Sequence, residues 1–135
     1  MRKRLYLFTD GASRRNPGPA AAGVVLKDQK GKILQQKSQF LGRMTNNEAE
    51  YKALLLGLEL AKKFQPEELI CCLDSQLVVS QVNGLYRVKK PHLARLLDKV
   101  QQVERDYPKV AYRLIPREKN SAADALANSV LKRVR

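Results

Sequence analysis

The chain contains no tryptophan, one histidine and only two cysteines among its 135 residues. Cys71 and Cys72 are adjacent in an apolar run, and neighbours in a strand point to opposite faces, so they are poorly placed to pair or to share a metal. We interpret both as reduced core residues, which is typical of an intracellular protein. The scarcity of aromatic residues, three Phe and five Tyr, argues against a base-stacking platform for single-stranded nucleic acid.

Long apolar runs are also lacking. No segment approaches the roughly 20 apolar residues that a membrane-spanning helix needs. The apolar run after the basic start covers only residues 5–8, which is too short for the core of a signal peptide. With 44% hydrophobic and 29% charged residues, the composition predicts one globular domain over residues 1–135, located in the cytoplasm and without membrane association.

Acidic residues are outnumbered by basic ones, 13 against 26, which leaves a formal net charge of +13. An excess of this size predicts a polyanionic partner; a solubility surface or an acidic protein partner is the alternative. The basic residues cluster in separate loops and at both ends, which favours a surface that follows the backbone of a duplex. The clusters are Arg2–Arg4, Arg14–Arg15, Arg87–Lys90 and Lys132–Arg133 with Arg135.

Hydrophobic patterns predict five strands and four helices. Residues 5–8 and 69–73 are short, continuously apolar runs, as expected of strands buried on both faces. Hairpin strands are predicted over 20–26 and 32–41, a fifth strand over 110–114, and helices over 46–64, 75–83, 93–103 and 123–134. The order indicates one α/β domain, with a five-stranded mixed sheet built from an antiparallel meander and parallel strands and flanked by helices.

The first predicted helix is apolar on two sides. One stripe is formed by Ala49, Ala53, Leu56 and Leu60, and a second by Leu54 and Leu58. This pattern predicts a helix that lies between the sheet and other helices.

Four carboxylates lie where these predicted elements end or begin. Asp10 and Asp74 follow two apolar strands, and Glu48 and Asp124 lie in the first turns of two helices. The crevice beyond the carboxyl ends of the strands is the usual ligand site of an open α/β sheet. Four converging acids require compensating cations, and oxygen-rich clusters of this kind hold Mg²⁺ or Mn²⁺.

Each acid also has a purely structural interpretation. The alternatives are capping boxes at Thr45–Glu48 and Ser121–Asp124, an N-cap at Asp74 and an ordinary turn at Asp10–Gly11. Residue types and spacing alone therefore leave catalysis and capping open, and they predict no more than a basic α/β domain that binds nucleic acid.

Four segments resemble the motifs of the type 1 ribonuclease H family, in the family's order and spacing. They are residues 8–19 (FTDGASRRNPGP), 45–51 (TNNEAEY), 73–76 (LDSQ) and 120–127 (NSAADALA). The match covers essentially the whole chain, and four motifs in series are far more specific than one. The resemblance implies the ribonuclease H fold and cleavage of the RNA strand of an RNA–DNA hybrid, which leaves 3′-hydroxyl and 5′-phosphate ends, with little sequence preference.

The resemblance also implies the residue roles. Asp10, Glu48, Asp74 and Asp124 would be catalytic and would hold two Mg²⁺ ions, or Mn²⁺, astride the scissile phosphate. Other matched positions would contact the hybrid, where side-chain amides suit a minor groove lined with 2′-hydroxyls. These positions are Gly11, Asn16, Asn46, Asn47, Ser75 and Gln76. For the two asparagines at 46 and 47, a simple helix-start role is the alternative.

The chain departs from the family pattern before its last aspartate. Many members carry a Gly-His-x-Gly loop there, whereas this chain has Pro-Arg-Glu-Lys-Asn at 116–120 and no histidine. Arg117 and Glu118 are auxiliary candidates in its place, with solvated loop charges as the alternative. His92 lies within the basic connector at 84–92 and matches no catalytic position, so we interpret it as structural or phosphate-facing.

The long basic handle of many bacterial members is absent as well. In these features the chain is similar to a compact archaeal and bacterial subgroup, and because some of its members also cleave double-stranded RNA, the resemblance implies double-stranded RNA as an additional substrate. We expect a monomer with no obligate protein partner. Two rival functions remain: a catalytically silent module that only binds nucleic acid, and a DNA-cutting member of the wider superfamily.

Overall fold

The computed structural model describes residues 3–134, so that Arg2 and Arg135 of the predicted basic clusters lie outside the described residues. Five strands form one sheet in the order β3-β2-β1-β4-β5. They are β1 Arg4–Ser13, β2 Gly18–Lys27, β3 Ile33–Met44, β4 Glu68–Leu73 and β5 Val110–Leu114. The first three strands form an antiparallel meander, and β4 pairs in parallel with β1 and β5. The predicted mixed sheet is confirmed.

Four helices flank the sheet: α1 Asn46–Ala61, α2 Gln76–Val82, α3 Pro91–Glu104 and α4 Ser121–Leu131. The predicted first helix is too long, because its last turn tightens into a 3-10 turn at Lys62–Phe64 and the chain then leaves through Gln65 at φ 47°. A second 3-10 turn, Arg117–Asn120, leads into α4. Between residues 3 and 134, no helix combines the length and apolar character needed to cross a membrane.

The main core lies between α1 and the sheet. Leu7, Leu54, Leu58 and Cys71 belong to this core, whereas Cys72 is buried but is not part of it. On α1 both residues of the second predicted stripe, Leu54 and Leu58, are fully buried. In the first predicted stripe Ala49 and Ala53 are buried, whereas Leu56 and Leu60 are only half-buried.

Two glycines let helices approach the sheet from both faces. A Cβ atom on Gly11 would lie 2.1 Å from the carbonyl oxygen of Ala49 in α1, and one on Gly23 would lie 2.0 Å from that of Ala123 in α4. Real Cβ atoms do not tolerate such distances, so only glycine permits this packing. Gly23 is paired with Asp10 across β1 and β2. The beginnings of α1 and α4 are thus held on opposite faces of the same part of the sheet.

Candidate active site

Three carboxylates converge near the end of β4. Asp10, Glu50 and Asp74 each offer an oxygen, and these oxygens all lie within 4.8 Å of one another. Asp124 lines the same cleft, of about 340 Å³, and contributes to the raised pKa of Asp10. The structure therefore brings together three of the four predicted acids, and adds one that was not predicted.

The unpaired edge of β1 explains how Glu50 reaches this position. The last pairing of β1 with β4 joins Phe8 to Cys72, whereas β1 continues to Ser13. Beyond that point the backbone N–H of Gly11 donates to Oε1 of Glu50 at 2.7 Å. Because Gly11 has no side chain, α1 approaches closely enough for this bond to form. Glu50 is only 8% exposed.

Glu48 lies outside the cluster, which corrects its predicted placement. Its carboxylate accepts hydrogen bonds from the backbone N–H and the hydroxyl of Thr45, and the Thr45 hydroxyl accepts from the N–H of Glu48. This is a complete capping box at the start of α1. The hydrogen bonds from Thr45 hold the pKa of the Glu48 carboxyl below its usual range. The structural interpretation of this residue is the right one.

For Asp10 and Asp74 the structural alternatives are wrong, whereas Asp124 does lie in the first turn of α4, where the helix dipole favours an acid. Asp10 lies inside β1, paired with Gly23, and not in a turn. The N-cap of α2 is Ser75 and not Asp74, since the Ser75 hydroxyl accepts from the N–H of Val78. No capping box forms at Asp124, because α4 begins at Ser121 after Asn120 as N-cap.

Burial and crowding change the protonation of the cluster. Burial, followed by the charge of Glu50, raises the pKa of Asp10 from 3.8 to about 9. Burial also raises the pKa of Glu50 from 4.5 to about 8, although the hydrogen bond from Gly11 opposes the shift. In the absence of a cation, the cluster therefore retains protons at neutral pH.

The residues present fit a divalent cation. The donor set consists of carboxylate oxygens, the ligands that Mg²⁺ and Mn²⁺ prefer. Although the chain has a net charge of +13, Asp10 and Glu50 retain protons at neutral pH because negative charge is concentrated locally. A bound cation would neutralise this local excess. Asp10, Glu50 and Asp74 would hold such an ion, with Asp124 beside them.

The side-chain amides of two asparagines donate hydrogen bonds to two of the acids. The amide of Asn128, one turn further along α4, donates to Oδ1 of Asp124 at 3.0 Å. The amide of Asn120 donates to Oδ2 of Asp74, also at 3.0 Å. Both contacts orient a carboxylate without placing a competing positive charge in the cleft.

Of the auxiliary candidates, Arg117 lines the cleft and Glu118 does not. Arg117 is exposed at the start of the 3-10 turn, and its charge opposes the rise in the pKa of Glu50. Among the described residues that line the cleft, Arg117 is the single cation.

The predicted substrate-contact residues divide into two groups. Gly11, Asn46 and Ser75 line the cleft, whereas Asn16, Asn47 and Gln76 lie outside it. Two of the asparagines are linked, because the Asn16 side-chain oxygen accepts from the N–H of Asn46 at 3.0 Å and the Asn46 oxygen accepts from the N–H of Ser13 at 2.9 Å. These bonds fix the β1–β2 loop to the start of α1.

One signal in the sequence could have identified Glu50. It precedes Leu54 by four residues, Gly57 by seven and Leu58 by eight, so it heads the stripe of α1 that is buried. A glutamate in register with a buried apolar stripe is rare unless it is paired or binds a metal. Glu48, two residues earlier, points about 200° away around the helix.

Comparison with known proteins shows which proteins the chain resembles in sequence. A family model described as reverse transcriptase-like matches residues 8–130. The chain is 39% identical over 129 residues to a bifunctional protein of Mycobacterium tuberculosis, covering 95% of this chain but 35% of that protein. It is 40% identical over 128 residues to ribonuclease HI of Halobacterium salinarum, covering 95% of this chain and 64% of that protein. The chain thus spans less than two thirds of the length of either relative.

Solved structures extend the likeness to the fold. RNase H1 from Halobacterium salinarum matches with a TM-score of 0.93 and 40% identity, covering 96% of this chain and 98% of that chain. LC11-RNase H1 in complex with an RNA/DNA hybrid matches with a TM-score of 0.89 and 40% identity, covering 93% and 94% of the two chains. Sequence and fold therefore point to the same relatives.

Proposed function

Because the chain belongs to the ribonuclease H family, we propose that it is a metal-dependent endoribonuclease that hydrolyses the RNA strand of RNA–DNA hybrids, leaving 3′-hydroxyl and 5′-phosphate ends. The observation that carries the proposal is the convergence of the Asp10, Glu50 and Asp74 oxygens within 4.8 Å. That a relative of 40% identity was solved with an RNA/DNA hybrid supports the choice of substrate.

The proposed catalytic set is Asp10, Glu50, Asp74 and Asp124, with Glu50 in the place expected for Glu48. The four acids would hold divalent cations, which would supply Lewis acidity at the phosphate and lower the pKa of a water molecule. The chain supplies orientation, because the N–H of Gly11 donates to the carboxylate of Glu50, in the second turn of α1. Burial of the carboxylates strengthens their attraction for a cation, because it removes competing water.

Arg117 is proposed as an auxiliary residue. Its guanidinium lies at the mouth of a cleft that is otherwise lined by acids and small polar groups. A cation in this position attracts the phosphate backbone and partly offsets the repulsion between phosphate and carboxylates. Glu118 is exposed and does not line the cleft, so we assign it no role.

The substrate is proposed to be read mainly through its shape and backbone. Asn16, Asn47 and Gln76 lie outside the cleft, and Asn16 and Gln76 are exposed. Amide groups in these positions suit 2′-hydroxyls of a minor groove, and backbone contacts carry little sequence information. The exposed arginines at 14, 15 and 87 add positive charge for phosphates.

We also propose the metal ion, an additional substrate, the oligomeric state and the compartment of the enzyme. Mg²⁺ is the proposed ion, with Mn²⁺ as a substitute, because both accept oxygen ligands. Double-stranded RNA is proposed as an additional substrate, since it shares the 2′-hydroxyls and the A-form shape. The enzyme is proposed to act as a monomer in the cytoplasm, where the buried thiols of Cys71 and Cys72 would remain reduced.

Glu50→Gln and Glu48→Gln form a matched pair that tests the proposal. Glu50→Gln should lower kcat on a labelled hybrid by more than about 100-fold, because it removes a proposed metal ligand. Glu48→Gln should leave kcat within about twofold, because glutamine still accepts from Thr45. In urea, Glu48→Gln should unfold close to wild type, and Glu50→Gln should be no less stable than wild type, because it removes a buried charge.

The substrate panel comprises RNA–DNA hybrid, double-stranded RNA and double-stranded DNA, each with Mg²⁺ and with Mn²⁺. Hybrid cleavage that is lost in Glu50→Gln supports the proposal. If wild type binds all three duplexes and cuts none, the enzyme assignment fails; cleavage of DNA alone would indicate the DNA-cutting branch. Loss of activity in Glu48→Gln with full activity in Glu50→Gln would overturn the residue assignment.

A further inference from the structure

Asn120 has the side chain best placed to control the geometry of the acid cluster from outside it. It lies at the end of the 3-10 turn and is the N-cap residue of α4, and it is only 1% exposed. Its amide nitrogen donates to the backbone oxygen of Thr9 at 2.9 Å and to Oδ2 of Asp74 at 3.0 Å. An amide NH₂ group has two hydrogens, so both are used.

The orientation of this amide is determined by its partners. The Thr9 carbonyl and the Asp74 carboxylate are both acceptors, and rotation of the amide by 180° would turn its oxygen towards them. In the orientation observed, Oδ1 of Asn120 is buried and has no partner among residues 3–134. A buried acceptor without a partner is unusual and needs a reason. Here the two donor contacts determine the position of the side chain.

The side chain of Asn120 does not cap α4, although Asn120 is its N-cap residue. Asparagine is among the best N-cap residues because its side-chain oxygen accepts from the first turn of a helix. In α4 no such bond forms. The side chain instead turns inward to the unpaired edge of β1, where the Thr9 oxygen lies past the last pairing with β4.

The bonds of this one amide connect three elements, each of which supplies an acid. β1 supplies Asp10, the end of β4 leads to Asp74, and α4, which starts directly after Asn120, supplies Asp124. Because the amide is neutral, it orients Asp74 without competing with a cation for the cleft. Hydrogen bonds to metal ligands generally fix their orientation and affect metal affinity.

We propose that Asn120 is a positioning residue that sets the relative placement of Asp74, Asp10 and Asp124 for metal binding. The inference rests on the proposed function, because it assumes that these acids bind a divalent cation. Asn120 itself contacts neither metal nor substrate in this proposal.

The test compares Asn120→Ala and Asn120→Ser with wild type and a control, Gln81→Ala. Gln81 is a buried amide, 6% exposed, that accepts from the Tyr51 hydroxyl at 2.6 Å and does not line the cleft. Mn²⁺ binding without substrate is measured by calorimetry. We expect Asn120→Ala to raise the Kd for Mn²⁺ by about 10-fold or more, and Gln81→Ala to leave it within about twofold.

Kinetics on the hybrid provide the second readout. In Asn120→Ala, kcat should fall by about 10-fold or more while KM stays within about twofold, since the substrate contacts are untouched. Asn120→Ser should behave in the same way, because its short hydroxyl has one hydrogen for two acceptors; it replaces the alanine variant if that one does not fold.

The outcomes separate the two proposals. If both Asn120 variants bind Mn²⁺ like wild type and lose only thermal stability, as Gln81→Ala does, the positioning role is overturned. If neither variant folds, Asn120 is a packing element and the proposal also fails. If wild type itself neither binds Mn²⁺ nor cuts the hybrid, the proposed function fails instead.

Discussion

Asp10→Asn should make the metal-free protein more stable, although it removes a member of the proposed catalytic set. Asp10 is 6% exposed, and burial and the nearby charges of Glu50, Asp74 and Asp124 raise its pKa to about 9. Asparagine has nearly the same shape and is neutral. The substitution therefore removes the buried charge without opening a cavity.

The magnitude follows from the two pKa values. The unfolded chain releases the Asp10 proton near pH 3.8, whereas the folded chain keeps it until about pH 9. Between these two pH values the folded state binds more protons than the unfolded state. The free energy of unfolding is therefore not reduced by Asp10 below about pH 4, and it falls as the pH rises towards 9. At pH 7, about three pH units above the pKa of the unfolded chain, the loss of stability due to Asp10 is about 4 kcal/mol.

Part of the destabilisation caused by the buried acids remains in the Asp10→Asn variant. Glu50 has a raised pKa of about 8 and still faces Asp74 and Asp124 after the substitution. We therefore expect Asp10→Asn to gain about 2 kcal/mol at pH 7, about half of the full amount. For a domain of this size, that gain raises the midpoint of thermal unfolding by about 6–8 °C.

Urea unfolding in the presence of EDTA, at pH 5 and pH 8, measures the effect. The control is Asp98→Asn on α3, an exposed acid that accepts a hydrogen bond from Gln102; it should show no such gain. Mg²⁺ at 100 times its Kd should cancel the stability advantage of Asp10→Asn, because binding then stabilises the wild type by about 2.7 kcal/mol, which exceeds the expected gain. An equal gain at both pH values, or a loss at pH 8, would refute the reasoning.

Two further predictions concern packing and charge. Gly23→Ala should cost about 2–3 kcal/mol in urea unfolding and lower kcat, because its Cβ would lie 2.0 Å from the backbone of Ala123 and displace α4. Gly57→Ala should cost less, since it meets side-chain ends of Leu7 and Thr9 at 2.9 Å; equal costs would contradict this. Hybrid binding by Asp10→Asn should weaken about 100-fold between 50 and 200 mM KCl if about four phosphates are neutralised. A salt-independent Kd would exclude a phosphate-tracking role for the basic clusters.

The fold could be predicted well because its signals are strong and local. The apolar runs at 5–8 and 69–73 became parts of β1 and β4, and the amphipathic pattern at 93–103 became α3. Burial on both faces is confirmed for 69–73, but it is wrong for 5–8, where Tyr6 and Phe8 are only half-buried. The ends of the elements were less predictable. β1 runs on to Ser13 through polar residues because pairing with β2 supports them, and no local pattern indicates how far such pairing extends.

The site could be predicted only in part, and the error at Glu48 shows why. Thr45 and Glu48 have the spacing of a capping box, and they form one. Glu50 is in register with the buried side of α1, but that signal alone does not assign its role, which depends on contact with the N–H of Gly11, 39 residues away. Choosing between the two glutamates required knowledge of which side of α1 faces the sheet. The two predicted apolar stripes left this choice open.

The convergence of the acids therefore depends on residues that carry no charge. Gly11 and Gly23 allow α1 and α4 to contact the sheet from opposite faces, and the unpaired edge of β1 then leaves one backbone donor for Glu50 and one acceptor for Asn120. Small and neutral residues are weak signals in a sequence, since each has many ordinary uses. Their effect appears only when strand pairing ends in the right place. The same acids on a β1 that remained paired with β4 would lack these contacts, so the length of β4 is as much a part of the site as the carboxylates.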